Sequence, residues 1–523
     1  MIEAEVHLSL HNFLRSQAGF PAWHHHLTMA RLVARALRLR RSALMQVGAT
    51  CGYQGRYRTS FVASALIWQG AVIIVASEAV QQHLLRVEIP RLQTWLEVKK
   101  PIRTGDVWVG NGFEGLFLTT PQAWLKGQFT LPEGFAPGVP AIIDGVDDLE
   151  NWVRESLTTT IADGNWDELC LAYPNQAETI RTAKEELTHY VFRHPANPYE
   201  CYLVSETEAE ILQRLFSVLE VGQLPPIWET FYRQFQQSSQ SLTLSGTSAD
   251  KKTAASSLIW ATIARRPGTF ALNIAPLELG AILEPMWERQ PIVLIGSALE
   301  AETEAPLFCD RMGVKNVTCL KFSSDNNTEA IQLYTPHQIP LPNTPEFQGV
   351  LIHKIRTLVC LSATAPGYTV ILVGDVPLKA QVGTILASEF GSRVQVEKTC
   401  LDENGILVSG WEYWREHQAV LPAPQLLIIA TLPLPSVEHP LVAGRVAHYK
   451  RSHQDWFRLY LLPAALNELQ RAIAPVRESQ GIVALLDSRV INRSYGAQIL
   501  SSLSPLARIN YLDPNLFHNT DRE

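Results

Sequence analysis

Two segments carry residues of the kind that handle nucleotide phosphates. The first is Ser42–Trp68, SALMQVGATCGYQGRYRTSFVASALIW. An apolar run, Ala43–Val47, leads into a loop with Gly48, Gly52 and Gly55, and an apolar helix-like stretch follows from Ser60. A strand, a glycine loop and a helix in that order cradle phosphates, because bare backbone N–H groups and a helix N-terminus attract anions. The pattern of such a loop is G-x4-G-K-[ST], with the hydroxyl on Mg²⁺. The fit here is Gly52-x4-Tyr57-Arg58-Thr59, with Tyr for the second glycine and Arg for the lysine. The second segment is Ala141–Glu150, AIIDGVDDLE. A buried-strand run ends in Asp144, where a magnesium-binding carboxylate would sit. Gly145 follows, where a catalytic Glu is expected. The layout is that of a nucleotide-driven motor. The residues point to a motor with weak or lost turnover.

The elements that must position these residues read as strand–helix repeats. Runs with the look of buried parallel strands lie at Ala71–Val75, Leu116–Thr119 and Pro140–Asp144. A helical pattern, Ala79–Glu97, lies between them. After Glu150 the character changes. Asn151–Gln236 is helix-rich, with amphipathic stretches at Gln176–Val191 and Ser205–Val221 and no strong buried-strand run. Ser238–Ser257 is polar, carries Lys251 and Lys252, and reads as a loop or linker. Strand-like runs resume at Phe270–Ile274 and Pro291–Ile295. A second α/β series begins near Leu307, with strands at Tyr368–Val373, Arg393–Val396, Gly405–Val408, Gln425–Ala430 and Gly481–Asp487.

A chain of 523 residues with 46% apolar content has room for three or four units with sizeable cores. It has no run of 18 or more apolar residues, so no membrane-spanning helix is expected. The N-terminal MIEAEVHLSLHNFL lacks a charged-then-apolar signal layout, and the protein reads as cytoplasmic. Seven scattered cysteines, none in C-x2-C, read as reduced thiols. The net charge of −7 does not advertise nucleic acid. Yet no Asp or Glu stands between Glu5 and Glu78, while Arg15, Arg31, Arg35, Arg38, Arg40, Arg41, Arg56 and Arg58 do. Such a stretch suits phosphate, of a nucleotide or of a nucleic-acid backbone, or else forms a solvated helix face over Leu27–Arg41. His24–His26 does not read as a metal site: neighbours on a helix diverge by about 100° and cannot converge on one ion.

The second α/β block resembles the C-terminal domain of DinG/XPD-type superfamily 2 helicases. That family has an F-W-E-G-x-D segment, a K-L-P-F-x-x-P-x-x-P segment, and Q-x-x-G-R-x-I-R followed by a strand ending in D-x-R. The corresponding residues are Tyr413 and Trp414; Leu432, Pro433, Leu434 and Pro440; and Gln470, Arg477, Asp487 and Arg489. In the first block, Ser297 and Ala298 stand where the family has S-A-T-L. VIIVASEAVQQHLL resembles the family's strand and Q-x-Q-L segment after the phosphate loop, and FLTTPQAWL, Phe117–Leu125, resembles the segment before the acidic motif.

The resemblance implies an α/β fold of two RecA-like parallel-sheet domains of P-loop NTPase type, with a helical insertion in the first. The implied division is 1–150 for the first part of domain 1, 151–256 for the insertion and linker, 257–305 for the return segment, and 306–523 for domain 2. It implies ATP and Mg²⁺, with Gly52, Gly55, Arg58, Thr59 and His26 on the nucleotide. His26 stands for the family's adenine-side glutamine. Asp144 and Thr59 would hold the metal, and Asp144, Gln470 and Arg477 would serve catalysis.

The departures are as telling. Arg58 is a forked cation in place of a point charge. D-E-A-H has become Asp144-Gly145-Val146-Asp147, and Gly145 cannot activate water. G-R-x-I-R has become Ile473-Ala474-Pro475-Val476-Arg477, which loses one arginine and brings in a proline expected to break or kink a helix. An arginine finger supplies about 10³–10⁵ in rate. The aromatic segment ends in Gln418. Asp147, Asp148 and Glu150 read as acids on a helix N-terminus, and Trp414 and Tyr413 as interdomain packing rather than base-stacking surfaces. No cysteine stands from Gly52 to Leu169, so the family's iron–sulfur cluster is not expected. The expected function is weak binding of single-stranded nucleic acid, DNA by resemblance, with a degenerate nucleotide site. An active atypical helicase, with Asp147 or Asp148 for the missing Glu, and a scaffold for a protein partner are the alternatives.

Overall fold

The computed structural model describes residues 2–17, 23–97, 99–110, 112–131, 134–243, 257–322, 330–363 and 366–511. Most of the expected linker, with Lys251 and Lys252, lies outside them.

The strands, in chain order, fall into three groups. Before the insertion come β1 (Ala43–Gln46), β2 (Val72–Val75), β3 (Ile102–Thr104), β4 (Leu116–Thr119) and β5 (Ala141–Asp144). Within it come β6 (Thr159–Ile161), β7 (Cys201–Leu203), β8 (Ser257–Ala264) and β9 (Thr269–Pro276). The chain then forms β10 (Ile292–Gly296), β11 (Thr318–Lys321), β12 (Ile331–Tyr334), β13 (Thr369–Leu372), β14 (Val394–Val396), β15 (Ile406–Ser409), β16 (Leu426–Ile429), β17 (Ile482–Leu485) and β18 (Leu506–Ile509).

Two seven-stranded parallel sheets result. The first has the order β11-β1-β10-β5-β2-β4-β3 and the second β14-β15-β13-β16-β17-β12-β18. Central strands such as VIIV of β2 and LLII of β16 are buried at every residue. Helices cover both faces of a parallel sheet, so such strands carry unbroken apolar runs rather than alternation. Each sheet accordingly has an apolar cluster on either side. Two RecA-like α/β domains are therefore present.

The insertion is mostly helical but not wholly so. Ala177–Val191 and Glu206–Val218 are helices, the latter opened by a capping box in which Glu208 accepts from the Ser205 N–H at 2.7 Å. They pack on a four-stranded antiparallel sheet, β6-β9-β8-β7. The run Phe270–Ile274, expected as a strand of the first domain, lies in this sheet instead, paired with β8. The reason shows in β8. Ala261 and Ile263 are buried and Thr262 and Ala264 exposed, the alternation of a sheet with one covered face. At the other border, β11 pairs with β1 at the edge of the first sheet, although residues 306 onward were expected in the second domain. Its sequence TCLK is short and mixed in polarity, which hides an edge strand.

Candidate functional site

Strand β1 delivers the chain to Gly48, whose φ of 85° turns it into the expected phosphate loop. The loop is itself coiled. Ala49–Gln54 form a short helix, here called the loop helix, closed by Gly55 at φ 65° before the helix Arg58–Ile67 begins. A phosphate cradle needs free N–H groups. In this loop Gly52 N–H donates to Gly48 O at 2.9 Å, Gly55 to Gly52 O at 3.1 Å and Arg58 to Gly55 O at 3.0 Å. Gly52 serves packing: a Cβ there would overlap Ser297 Cβ. At Gly55 that space is filled by the Arg58 guanidinium, which folds back over the turn.

Asp144 ends β5 and is 3% exposed. The Tyr57 hydroxyl donates to its Oδ1, and Arg58 Nε donates to its Oδ2 at 3.0 Å. Tyr57 is buried, and burial, then the neighbouring Asp144, pushes its phenol well above the ordinary range. Burial works against the Arg58 charge, but the carboxylate more than offsets it and raises the guanidinium pKa. Asp144 therefore already has a cation. Thr59, expected to share the metal with Asp144, donates instead to Glu88 Oε2 at 2.9 Å. His26 is buried, its Nδ1 2.9 Å from Ser60 Oγ and its ring edge-on to Trp23 at 5.5 Å. Burial, helped by Arg56, lowers its pKa to about 4, so it is neutral near pH 7.

The acids after Gly145 stand in the first turns leading into the helix Leu149–Leu157, as expected, and each also has a specific partner. Asp147 accepts from the N–H groups of Ser297 and Ala298 at 2.7 and 2.8 Å. Asp148 takes both forks of Arg471 at 2.7 and 2.9 Å. Burial works to raise the Glu150 carboxyl, but Arg311 and Arg154 override it and hold it at about 2.

Arg471 stands on Leu462–Ser479, here called the cross-domain helix, which packs on the loop helix of the first domain. Pro475 lies inside this helix without ending it. Arg477, expected as the finger, points into the second domain, where it donates to the carbonyls of Leu503, Ser504 and Pro505 at 2.5, 3.3 and 3.0 Å. Gln470 is half-buried on the same helix. Arg489 and Asp487 form an ion pair at 2.6 Å, and Asp487 also accepts from Leu432 N–H. Trp414 is not at the interdomain seam. It is fully buried in the second domain, with its indole N–H on Ala472 O at 3.1 Å. Tyr413 stacks on His417 at 4.0 Å.

The structure thus brings Gly52, Gly55, Arg58 and Asp144 together, and holds Thr59, His26 and Arg477 on other partners. Sequence reasoning missed Tyr57, Asn467 and Arg471. Asn467, Arg471 and Glu478 follow one another at steps of four and seven on one helix face, a polar stripe that was there to be read. Beside the seam lies a groove of about 2260 Å³ whose lining includes Trp411, Tyr413, Trp456, Tyr495, Arg445 and Arg493. Several cations of the groove are matched by carboxylates, as in Arg415–Glu468 and Lys379–Glu397. Among the described residues, no group of three or more His, Cys, Asp or Glu is placed to hold a metal ion, and no helix is long and apolar enough to cross a membrane.

Residues 422–506 match the Helicase C-terminal domain family. The ATP-dependent DNA helicase YoaA of Haemophilus influenzae is 24% identical over 262 residues, covering 47% of this chain and 40% of that protein. The ATP-dependent DNA helicase DinG of Photobacterium profundum is 24% identical over 268 residues, covering 46% of this chain and 38% of that protein. These matches span about two fifths of the relatives' length. An XPD helicase structure superposes with a TM-score of 0.56 at 12% identity, over 94% of this chain and 100% of that one. Xpd4 of S. tokodaii gives 0.56 at 11% identity, over 93% and 100%. The fold is that of two RecA-like domains, arranged as in the XPD helicase structures. In residues 422–506 the chain is similar to the Helicase C-terminal domain family, and over about half its length it is similar to the DinG and YoaA helicases.

Proposed function

We propose that this DinG/XPD-type protein binds nucleic acid and hydrolyses ATP weakly or not at all. The observation that carries the reading is the state of Asp144, whose two oxygens are taken by Tyr57 and Arg58. Four things are needed for hydrolysis on this fold: a cation on the β/γ-phosphates, a carboxylate on Mg²⁺, a carboxylate for the attacking water, and arginines on the transition-state charge. Arg58 and Asp144 neutralise each other. Gly145 supplies no carboxylate. Arg477 is held by carbonyls of its own domain. The two acids that could replace the missing Glu are also engaged, Asp147 on backbone N–H groups and Asp148 on Arg471. Residues so committed do not fit a magnesium nucleotide.

The nucleic-acid side of the proposal rests on the DNA helicases that the chain resembles and on the groove. Its aromatics offer stacking faces, and Arg445 and Arg493 offer charge to a single strand. Because carboxylates match several of its cations, the binding is weak, sequence-independent and lowered by salt. Single-stranded DNA is the partner proposed, in the cytoplasm. For the domains we propose a first RecA-like unit in two parts, 1–150 and 277–322, an insertion over 151–276, and a second unit from 330.

The test is DNA-stimulated phosphate release by the wild-type protein, with Asp144→Ala as control. Release indistinguishable from the control is expected. Turnover of about 1 s⁻¹ or more, abolished by the control, would establish an active atypical helicase. Absence of single-stranded DNA binding even at low salt would favour a protein-interaction scaffold.

A further inference from the structure

The seam between the two α/β domains is made by the chain's own side chains. Arg471 of the cross-domain helix grips Asp148 of the first domain through two parallel bonds of 2.7 and 2.9 Å. One turn earlier, Asn467 Nδ2 donates to Ala298 O at 2.8 Å. Further along, Glu478 takes Arg56 of the first domain at 2.8 Å. Tyr53 of the loop helix donates to Gln418 O of the second domain at 3.1 Å. These bonds surround the packing of the loop helix on the cross-domain helix. The Arg471–Asp148 pair is largely desolvated, with 18% and 29% of the two side chains exposed. Burial opposes the Arg471 charge, and Asp148 outweighs it. A two-pronged charged bond in such a place is among the stronger polar contacts a protein makes.

A second seam lies on the far side of the groove. The helix Pro440–Arg451 packs on β7 and β8 of the insertion so closely that a Cβ at Gly444 would overlap Leu258. His448 meets Glu278 at 3.1 Å, and His439 packs on Tyr199 with ring centres 4.4 Å apart. The second domain is thus held at two separated places, one on the first unit and one chiefly on its insertion.

In hinge-closing proteins, closure depends on a ligand that bridges the two halves. Here the bridging groups are already present. We propose that the polar stripe of the cross-domain helix is a latch that holds the two domains closed without nucleotide. The two-domain body is then a fixed clamp around the groove and not a cycling motor. Arg471 is a positioning residue in this scheme: it acts on the arrangement of the domains, through Asp148.

The inference concerns the same cleft as the proposed function, but its readout needs no hydrolysis. Hydrogen–deuterium exchange of the full chain is followed in peptides from the loop helix and the cross-domain helix, with a peptide spanning β5 as an internal control for folding. In the wild type, ATP–Mg²⁺ is expected to change protection of the two seam peptides by less than about twofold. Arg471→Ala should speed exchange in both by roughly tenfold or more while β5 stays protected. The charge swap Asp148→Arg with Arg471→Asp should restore most of the protection, which a merely local defect would not allow. Should Arg471→Ala lose β5 protection as well, Arg56→Ala is read instead and should loosen the same two peptides. The latch is refuted if wild-type protection of the seam appears only with nucleotide, or if Arg471→Ala, or Arg56→Ala in its place, leaves both peptides as in the wild type. Phosphate release of about 1 s⁻¹ or more, abolished by Asp144→Ala, with a nucleotide-independent seam would overturn the proposed function and leave the latch standing; a nucleotide-dependent seam without release would do the reverse.

Discussion

At the scale of single residues, the candidate site shows how substitutions that look like losses have been given other work. Gly145 is the clearest case. Its φ of 80° and ψ of 38° are left-handed, a conformation that costs a side-chain-bearing residue about 1–2 kcal/mol. Gly145→Glu should therefore lower stability by that amount in a urea melt, and phosphate release should stay at the wild-type level because Tyr57 and Arg58 still hold Asp144. His26 shows a second kind of reuse. Burial and Arg56 depress its pKa from 6.5 to about 4, so between those values the unfolded chain binds the proton more readily than the folded one. Stability is complete above about pH 6.5 and falls as the pH drops towards 4, by up to about 3 kcal/mol. His26→Asn, which keeps a polar atom near Ser60, should flatten that part of the stability profile. Asp144 was legible in the sequence because it ends an apolar strand. Tyr57 was not: its role depends on Asp144, 87 positions away.

At the scale of elements, close approach and termination matter more than propensity. The loop helix can lie against Ser297 only because Gly52 has no Cβ. Gly52→Ala should lower stability by about 1–3 kcal/mol, as overpacking does, and thermal melting is the measurement. The helix Arg58–Ile67 shows how an end is held. The Lys100 ammonium donates to the carbonyls of Ala65, Trp68 and Gly70 at 2.9, 2.6 and 2.7 Å. A cation on three carbonyls at a helix C-terminus answers both their hydrogen-bond demand and the helix dipole. Lys100→Met should cost about 2–4 kcal/mol in chemical denaturation, since charged hydrogen bonds in buried places are lost together. The central strands were visible as apolar runs, because burial on both faces leaves no room for alternation. The edge strands Ile102–Thr104 and Thr318–Lys321 were hidden, because one side of an edge carries polar residues.

At the scale of the whole molecule, charge distribution decides more than net charge. The formal total is −7, yet Arg31, Arg35 and Arg38 stand exposed on one helix face, with Glu3 paired to Arg38. In the groove, by contrast, carboxylates accompany Arg311, Arg415, Arg471 and Arg489. A single strand lying there meets few unmatched cations. Its affinity should fall with a logarithmic salt slope near about −2, the value for roughly three phosphates on a single strand. Fluorescence anisotropy with labelled oligonucleotides over a salt series gives this slope directly. Arg493→Ala should make it shallower by about 0.7, and a slope steeper than about −5 would place the strand on a more basic surface than the groove.

The sequence alone determined the two parallel-sheet domains, the helical character of much of the insertion and the family resemblance. Each rests on local chemistry: apolar runs long enough for a buried strand, amphipathic periods, and short motifs that keep their order. Tertiary structure alone decided that β8 and β9 build the insertion's own sheet, that β11 closes the first domain, and that Arg471 rather than Arg477 faces the opposite domain. Those outcomes depend on which surface meets which across a hundred or more residues. An arginine's type and place in a motif do not reveal whether a carboxylate of the other domain or a carbonyl of its own will lie within reach.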